Sequence, residues 1–236
     1  ITIIFKQITS RYYFRKLYLA PGQKLLEPSD WNAYQGLDVA AVFGEESKKI
    51  ANKMHSRPNG VYRLSYVGVP YIRLGYADMN FIIAEAIERG WVKGDAKKYY
   101  EEGIRASFQF VASTVPEEYQ TGRVITDDYI EDYLKGSYVA YNVGGTRIDR
   151  LKQIWIQVYI ARYHMQYDDY FDYRRNTYPE FPINPDTNLN DDKTKIPMRW
   201  QYPENELLYN KEQYLIALDR QWGGTDNVNN VMWVLK

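Results

Sequence analysis

The stretch AEAIERGWVKGDAKKYYEEGIRA, residues 84–106, contains a clear helical pattern. Its spacing predicts two helices joined by a short turn. Gly90 follows the first helix, where a residue without a Cβ commonly ends a helix in the left-handed conformation. Asp95 precedes the second helix, and its carboxylate can accept hydrogen bonds from the first free backbone N–H groups. We therefore predict a helical hairpin whose first helix stops near Arg89.

The two predicted helices carry apolar stripes at helical spacing, which predict their buried faces. The first stripe contains Met79, Ile82, Ile83, Ala86 and Ile87. The second contains Ala96, Tyr99, Tyr100, Ile104, Phe108 and Val111. Small residues occur where the helices must approach closely, and their order resembles a tetratricopeptide helix pair. One such pair is visible, whereas a solenoid needs about three repeats to bury a continuous core.

The composition argues against several classes of protein. Hydrophobic residues make up 45% of the 236 residues, which is enough for a sizeable core. The 30 Lys and Arg balance 30 Asp and Glu, so the chain lacks the positive charge that attracts nucleic acid. Its longest apolar runs are far shorter than the roughly 20 residues that span a bilayer. The sequence has no cysteine, which excludes disulfides, thiolate metal sites and a cysteine nucleophile.

The rest of the chain predicts further helices separated by long loops. Residues 1–20 fit a strand or a helix end, and a long irregular region follows with a short helix over 45–54. Three more helices are predicted over 126–136, from 146 to about 167, and over 210–220. The buried stripe of the middle one contains Ile148, Leu151, Ile154, Trp155, Val158 and Tyr159. We predict a mainly α fold with a long loop-rich face and little strand.

Three segments, in this order, resemble the SusD/RagB family of Bacteroidetes surface lipoproteins. The first, IRLGYADMNFIIAEAIERGWVKGDAKKYYEEGIRASFQF at 72–110, is similar to the family's last tetratricopeptide-like pair. The second, IWIQVYIARYHMQYDDYFDYRRNTYP at 154–179, is an aromatic-rich stretch that ends in two arginines and Tyr-Pro. The third comprises IPMRWQYPENELLYN at 196–210 and ALDRQWGGTDNVNNVMW at 217–233, which resemble the family's closing pattern.

This resemblance implies tetratricopeptide-like helix pairs that support a loop-rich, SusD-like face. It implies that residues 1–236 are part of a single SusD-like domain, with a loop-rich region over 1–70, the helix pair over 71–113, and C-terminal helices and closing loops over 114–236. The chain starts with ITIIFKQ, without an initiator Met or a leader. We therefore expect it to be the C-terminal half of the family fold, with the N-terminal half and the lipidated Cys outside it.

The resemblance also implies a function. The expected role is the binding of glycan nutrients, oligosaccharides or polysaccharides, by a surface-exposed lipoprotein of the outer membrane. The expected partner is a SusC-like TonB-dependent transporter, to which the glycan is delivered, and neither catalysis nor a cofactor is implied. Two alternatives stay open: the same scaffold could bind peptides for uptake, or a tetratricopeptide-type module could bind only proteins.

Aromatic residues outside the helical stripes mark the expected ligand-binding surface. The chain has 24 Tyr, 8 Phe and 6 Trp, and aromatic rings with polar neighbours suit the stacking of sugars. We expect Trp31 and Tyr34 to form a stacking platform on a loop, with Asn32 and Gln35 as hydrogen-bonding neighbours and Tyr66 on a second loop. A structural role for Trp31, filling the scaffold beneath the loop, stays an equal alternative.

Other conspicuous residues are assigned structural roles. Trp91 in the predicted turn and Trp155 on a buried stripe are explained by packing. Arg174 and Arg175 could bind an anionic ligand, but we favour ion pairs and helix-end capping.

The sequence contains no catalytic constellation and one weak candidate for a metal site. Its two histidines, His55 and His164, lie far apart without a motif around either. Adjacent acidic residues cannot face each other across a sugar, as glycosidase chemistry requires. The candidate calcium ligands are Asp186, Asn188, Asn190 and Asp192, which alternate as in a calcium loop. The segment lacks the glycine and the bidentate acid of that loop, so we favour an Asn/Asp turn.

Overall fold

The computed structural model describes residues 24, 26, 27, 30–38, 40–42, 44–53, 55, 56, 58–120, 124–163 and 168–235. These residues form helices and loops, and none of them belongs to a β-strand. The prediction of a mainly α, tetratricopeptide-like fold is therefore confirmed. The expectation for residues 1–20 falls outside the described residues. None of the helices in the described ranges is long and apolar enough to cross a membrane.

The chain divides into two compact units. The first runs to Leu37 and from Lys48 to Glu180, and the second comprises Asp38–Ser47 and Phe181–Lys236. Helix α1, Glu45–Ala51, begins in the second unit and ends in the first. The other α-helices of the first unit are α2 (Tyr76–Glu88), α3 (Ala96–Thr114), α4 (Asp127–Leu134), α5 (Arg147–Ala161) and α6 (Asp168–Asn176). The second unit contains α7 (Glu204–Tyr209) and α8 (Lys211–Trp222).

Helices α2 and α3 form the predicted hairpin. Gly90 has a φ of +78°, which favours glycine after the C-terminus of α2. The side chain of Asp95 accepts a hydrogen bond from the backbone N–H of Lys98 at 3.2 Å and caps α3. Tyr100, Ile104, Phe108 and the rest of the predicted α3 stripe are buried, except for the half-buried Tyr99. The sequence prediction of this hairpin and its caps is confirmed.

The predicted buried face of α2 is wrong at two of its five residues, Met79 and Ile82, whereas Ile83, Ala86 and Ile87 are half-buried. Met79 and Ile82 are 48% and 51% exposed, whereas Phe81 and Ala84 are buried. The polar residues Asn80 and Glu85 are also buried on this face. The predicted stripe is shifted by about one residue from the buried face. The pattern of hydrophobic residues did not reveal this, because α2 has apolar residues on both sides and polar residues on its buried side.

Two hydrophobic clusters form the core of the first unit, and α5 contributes to both. Ile154 belongs to a cluster with Phe81, Tyr100 and Phe108, while Ile156 and Ile160 belong to a second cluster. Of the stripe predicted for α5, Leu151, Ile154 and Trp155 are buried, but Ile148 is 49% exposed. The prediction that this helix continues to about residue 167 is wrong, because α5 ends at Ala161 and α6 starts as a separate helix.

The second unit is organised around one buried arginine. Arg199 is 7% exposed, and its guanidinium forms an ion pair with Asp226. The same guanidinium lies over the rings of Trp222 at 4.6 Å and Tyr202 at 5.4 Å. The other carboxylate oxygen of Asp226 accepts the backbone N–H of Tyr202 at 3.0 Å. The two segments of the closing pattern, residues 196–210 and 217–233, therefore meet at this ion pair.

Candidate functional site

The loop around residues 31–35 is held in place by backbone hydrogen bonds. A short 3-10 helix covers Trp31–Ala33, and the Asp30 carboxylate accepts the N–H of Asn32 at 2.8 Å. The backbone N–H of Gln35 donates to the Ser56 hydroxyl at 2.9 Å, and the N–H of Ser56 donates to the Gln35 carbonyl at 2.6 Å. Asn32 is exposed and Gln35 is half-buried, so both amide side chains lie at the surface of an ordered loop.

Tyr34 is placed in the core rather than on the surface. It is 7% exposed and packs in one hydrophobic cluster with Ala33, Val61 and Ile160. A ring in this position offers no open face for stacking, so the expected platform of Trp31 and Tyr34 is corrected at Tyr34. The polar neighbours of Tyr34 in the sequence favoured a surface position, and Asn32 is indeed exposed, but Gln35 is half-buried and the Tyr34 ring is buried.

Tyr66 is fully exposed on a turn that its neighbours fix. The Ser65 hydroxyl accepts backbone N–H groups of Val67 at 3.3 Å and Gly68 at 3.0 Å. Gly68 has a φ of +66°, a conformation that glycine adopts without strain. This arrangement holds an aromatic ring in solvent on a short, ordered turn.

The start of this second loop is anchored to the helical scaffold through Asn59. Its side-chain amide donates to the carbonyl of Tyr119 at 2.6 Å, and its side-chain oxygen accepts the N–H of Val61 at 2.9 Å. Val61 enters the same cluster as Tyr34, so both loops pack against one part of the core. Among the described residues, no hydrogen bond or ring contact joins Tyr66 to Asn32 or Gln35.

A network of ion pairs links α2, α5 and α6. Arg175 donates to both carboxylate oxygens of Glu85 at 2.6 and 3.1 Å, and also to Asp172 at 3.0 Å. Arg162 pairs with Asp78 at 2.9 Å and with Asp172. The favoured structural interpretation of Arg175, as an ion-pairing residue, is thus confirmed. Arg174 lies over the Tyr170 ring at 5.4 Å.

Two carboxylates near this network have shifted pKa values of opposite sign. Burial alone would raise the pKa of Glu85, but its hydrogen bonds and charge interactions with Arg175 and Arg89 outweigh burial and lower it. Burial raises the pKa of Asp169 to about 7, against the opposing attraction of Arg162. Glu85 therefore stays charged at neutral pH, whereas Asp169 titrates near pH 7.

The sequence analysis missed a cavity beside Trp91. The cavity has a volume of about 460 Å³ and lies among α2, α5 and α6. Trp91, Trp155 and Tyr178 line it together with Glu85, Arg175 and Asn176. Trp155 is buried as predicted, but Trp91 is 70% exposed, so the assignment of Trp91 to packing is wrong. The exposure of Trp91 could have been predicted, because the residue belongs to the turn between two predicted helices and such turns lie at the surface.

The candidate calcium segment folds as a series of Asn/Asp turns. The Asn188 side-chain amide donates to the carbonyls of Lys193 and Lys195, and Asn190 also donates to Lys195. The Asp192 carboxylate accepts the hydroxyl of Thr194 at 2.6 Å and pairs with Lys195 at 2.7 Å. The described residues contain no group of three or more His, Cys, Asp or Glu that could hold a metal ion. His55 is buried, and His164 lies outside the described residues.

Comparison with known proteins identifies the family. The sequence model of a family described as "Starch-binding associating with outer membrane" matches residues 20–203. The chain belongs to the SusD-like family. Comparison with curated proteins gives no match.

Solved structures agree with this membership. A SusD homolog from Bacteroides fragilis NCTC 9343 is 39% identical, with a TM-score of 0.86. A second SusD homolog from the same organism is 28% identical, with a TM-score of 0.81. An outer membrane protein from Bacteroides vulgatus ATCC 8482, described as involved in nutrient binding, is 26% identical, with a TM-score of 0.80. Each match covers 100% of this chain and 51% of the other, so this SusD-like chain spans about half the length of these relatives.

Proposed function

We propose that this SusD-like protein binds glycan nutrients at the bacterial cell surface and delivers them to a TonB-dependent transporter of the outer membrane. The observation that carries the proposal is the fully exposed Tyr66 ring on its fixed turn, in a chain whose family is described as starch-binding. A pyranose ring presents an apolar C–H face, which stacks on an aromatic ring, and hydroxyl groups, which need polar partners.

The proposed ligand-binding residues are Trp31, Asn32, Gln35 and Tyr66. The two amide side chains can donate to and accept from sugar hydroxyls, and the hydrogen bonds of their loop hold the backbone that carries them. A preorganised loop loses little conformational entropy when the ligand binds. Tyr66 supplies the stacking ring that the buried Tyr34 cannot.

The proposed protein partner is a SusC-like transporter. The second unit exposes large apolar side chains on two consecutive helices, namely Leu207, Leu208, Tyr209, Leu215 and Ile216. Exposed apolar patches of this kind mark protein interaction surfaces on many soluble domains. We further propose that a lipid anchor outside this chain holds the protein at the outer membrane.

Affinity gel electrophoresis tests the glycan part of this proposal. The protein is run through native gels that contain soluble starch, dextran or no polysaccharide, beside a protein that binds none of them. Retardation in a polysaccharide gel supports the proposal, and the sugar recovered after incubation should be unchanged in length. Equal migration in all gels, or cleavage of the sugar, contradicts it.

Purification from native membranes tests the partner. In mild detergent, the protein should be recovered together with a large outer-membrane protein. Replacing Leu208 and Ile216 by serine should weaken this recovery, whereas the same change at Leu189, an exposed leucine on a loop of the same unit, should not. Recovery of the unmodified protein as a free monomer contradicts the proposed partner.

A further inference from the structure

Trp91 is held at the mouth of the cavity by a cation beneath its ring. The Arg89 guanidinium lies 5.3 Å from the centre of the Trp91 ring and 5.7 Å from that of Trp155. Arg89 is itself fixed by a 2.8 Å hydrogen bond to Glu85. The guanidinium therefore lies over one face of the Trp91 ring, while 70% of the residue is exposed to solvent. Exposure of a large, fixed aromatic ring to water is unfavourable, so a ligand that covers the ring gains binding free energy.

The walls of the cavity combine aromatic and polar groups. Trp155 and Tyr178 lie with their ring centroids 6.2 Å apart and form an apolar wall. Asn176 and Arg175 border the same cavity, and the Asn176 side-chain oxygen accepts a long hydrogen bond from Arg89 at 3.5 Å. The volume of about 460 Å³ falls in the range of small-molecule sites.

The charges that border the cavity favour a neutral ligand. Glu85 and Asp172 are paired with Arg175, and Arg162 is paired with Asp78 and Asp172. Asp169 also borders the cavity, and burial raises its pKa to about 7, so this carboxyl group is mostly neutral below that pH. Below pH 7 an added anion or cation would therefore have to break one of these pairs and leave its former partner unpaired, which is costly where water is scarce. A ligand with an apolar face and uncharged hydrogen-bonding groups avoids this cost.

We propose that this cavity is a second carbohydrate-binding subsite, in which a neutral sugar ring stacks on Trp91. The sugar hydroxyls exchange hydrogen bonds with Asn176 and with the exposed edge of Arg175. This inference rests on the proposed function, because it assumes that the protein binds glycans, but it concerns a cavity whose lining does not include Tyr66. A subsite of this kind would extend the length of glycan that one molecule holds and raise its affinity by adding a second contact.

Isothermal titration with maltoheptaose, a soluble starch fragment, tests the subsite. Trp91→Ala should weaken binding by about tenfold, because it removes a stacking ring and its buried apolar area. Trp91→Phe should restore most of the affinity, and Asn176→Ala should weaken it by a smaller factor. Trp233→Ala removes an exposed tryptophan from the other unit and serves as the matched control, with unchanged affinity expected. Circular dichroism of each variant checks that the fold is intact.

Three results would overturn this inference. If folded Trp91→Ala binds maltoheptaose within twofold of the unmodified protein, the cavity is not a sugar subsite, although the proposed function stands. If Trp91→Ala instead reduces only the recovery of the transporter, the cavity belongs to a protein interface. If the unmodified protein binds neither maltoheptaose nor any polysaccharide in the gels, the proposed function fails and the subsite fails with it.

Discussion

Gly103 in α3 lies directly against the ring of Phe81 in α2. A Cβ at position 103 would lie 2.7 Å from Phe81 Cε1 and less than 3.0 Å from two further ring atoms. Phe81 is fully buried, so its ring has little room to move. Packing of the Phe81 ring against the backbone of α3 at this point therefore depends on a residue without a side chain, as the small residues of the sequence predict.

Replacing this glycine should loosen the hairpin. Gly103→Ala gains up to about 1 kcal/mol from helix propensity, but overpacking a filled core costs about 1–3 kcal/mol. With three close contacts to a buried ring, we expect a net loss of about 1 kcal/mol in the free energy of unfolding. Urea unfolding followed by circular dichroism measures it. Gly144→Ala is the matched control, because a Cβ there meets no atom within 4 Å. Equal stability of the two variants would contradict the close packing.

The ion pair between Glu85 and Arg175 should contribute to stability. Arg175→Ala leaves the buried Glu85 carboxylate with Arg89 alone, and we expect a loss of about 2 kcal/mol, less than for a fully buried pair because Arg175 is partly exposed. Arg105→Ala, which breaks a surface pair with Glu131, should cost much less. Similar losses for both variants would show that burial of Glu85 is unimportant.

The contribution of Glu85 should also depend on pH. Because its pKa is lowered in the folded protein, its stabilising effect is present above its ordinary value of 4.5 and is lost as the pH falls through the lowered pKa. The difference in stability between the unmodified protein and Arg175→Ala should therefore shrink in acid. A difference that stays constant from pH 7 to pH 3 would contradict this assignment.

Asp169 should make the stability of the protein depend on pH in the opposite direction. Burial raises its pKa to about 7, so the folded protein holds this proton more tightly than the unfolded chain, and stability falls as the pH rises from about 4 to about 7. Asp169→Asn should remove that fall and stabilise the protein by about 1–2 kcal/mol at pH 8, with little effect at pH 4. Asp168→Asn, in the same first turn of α6, controls for the helix dipole. A stability gain that is independent of pH would contradict the prediction.

The second unit should be sensitive to the shape of residue 199 as well as to its charge. Arg199→Lys keeps the positive charge but loses the planar group that lies over Trp222 and Tyr202. We expect faster proteolysis of residues 181–236 and a loss of about 1–2 kcal/mol. Arg220→Lys, at an exposed position of α8, should leave both unchanged. Unchanged proteolysis of Arg199→Lys would show that charge alone holds this unit.

The helix ends and the hairpin could be predicted from the sequence because they depend on local chemistry. Asp95 and Gly90 act within one turn of their own helix, so their neighbours in sequence determine their role. The buried side of α2 could not be predicted in this way. Glu85 is buried because arginines from α2 and α6 neutralise it, and one of them lies 90 positions further along the chain.

The candidate site shows the same distinction between local and distant effects. Tyr34 and Tyr66 both belong to loops with polar neighbours, but Tyr34 packs against Val61 and Ile160, whereas Tyr66 stands on a turn with its ring in solvent. Which tyrosine faces solvent depends on contacts far apart in sequence. The exposure of Trp91 depends likewise on how α2, α5 and α6 leave a cavity beside it.

The most direct test of the proposed glycan-binding surface is isothermal titration of maltoheptaose into the unmodified protein and into Tyr66→Ala. Tyr138, another exposed tyrosine, provides the matched control as Tyr138→Ala. We expect saturable binding to the unmodified protein and to Tyr138→Ala, and an affinity about tenfold weaker for Tyr66→Ala, whose thermal midpoint should be unchanged. Absence of binding to the unmodified protein, or equal affinity for all three, would contradict the claim that Tyr66 forms part of a glycan-binding surface.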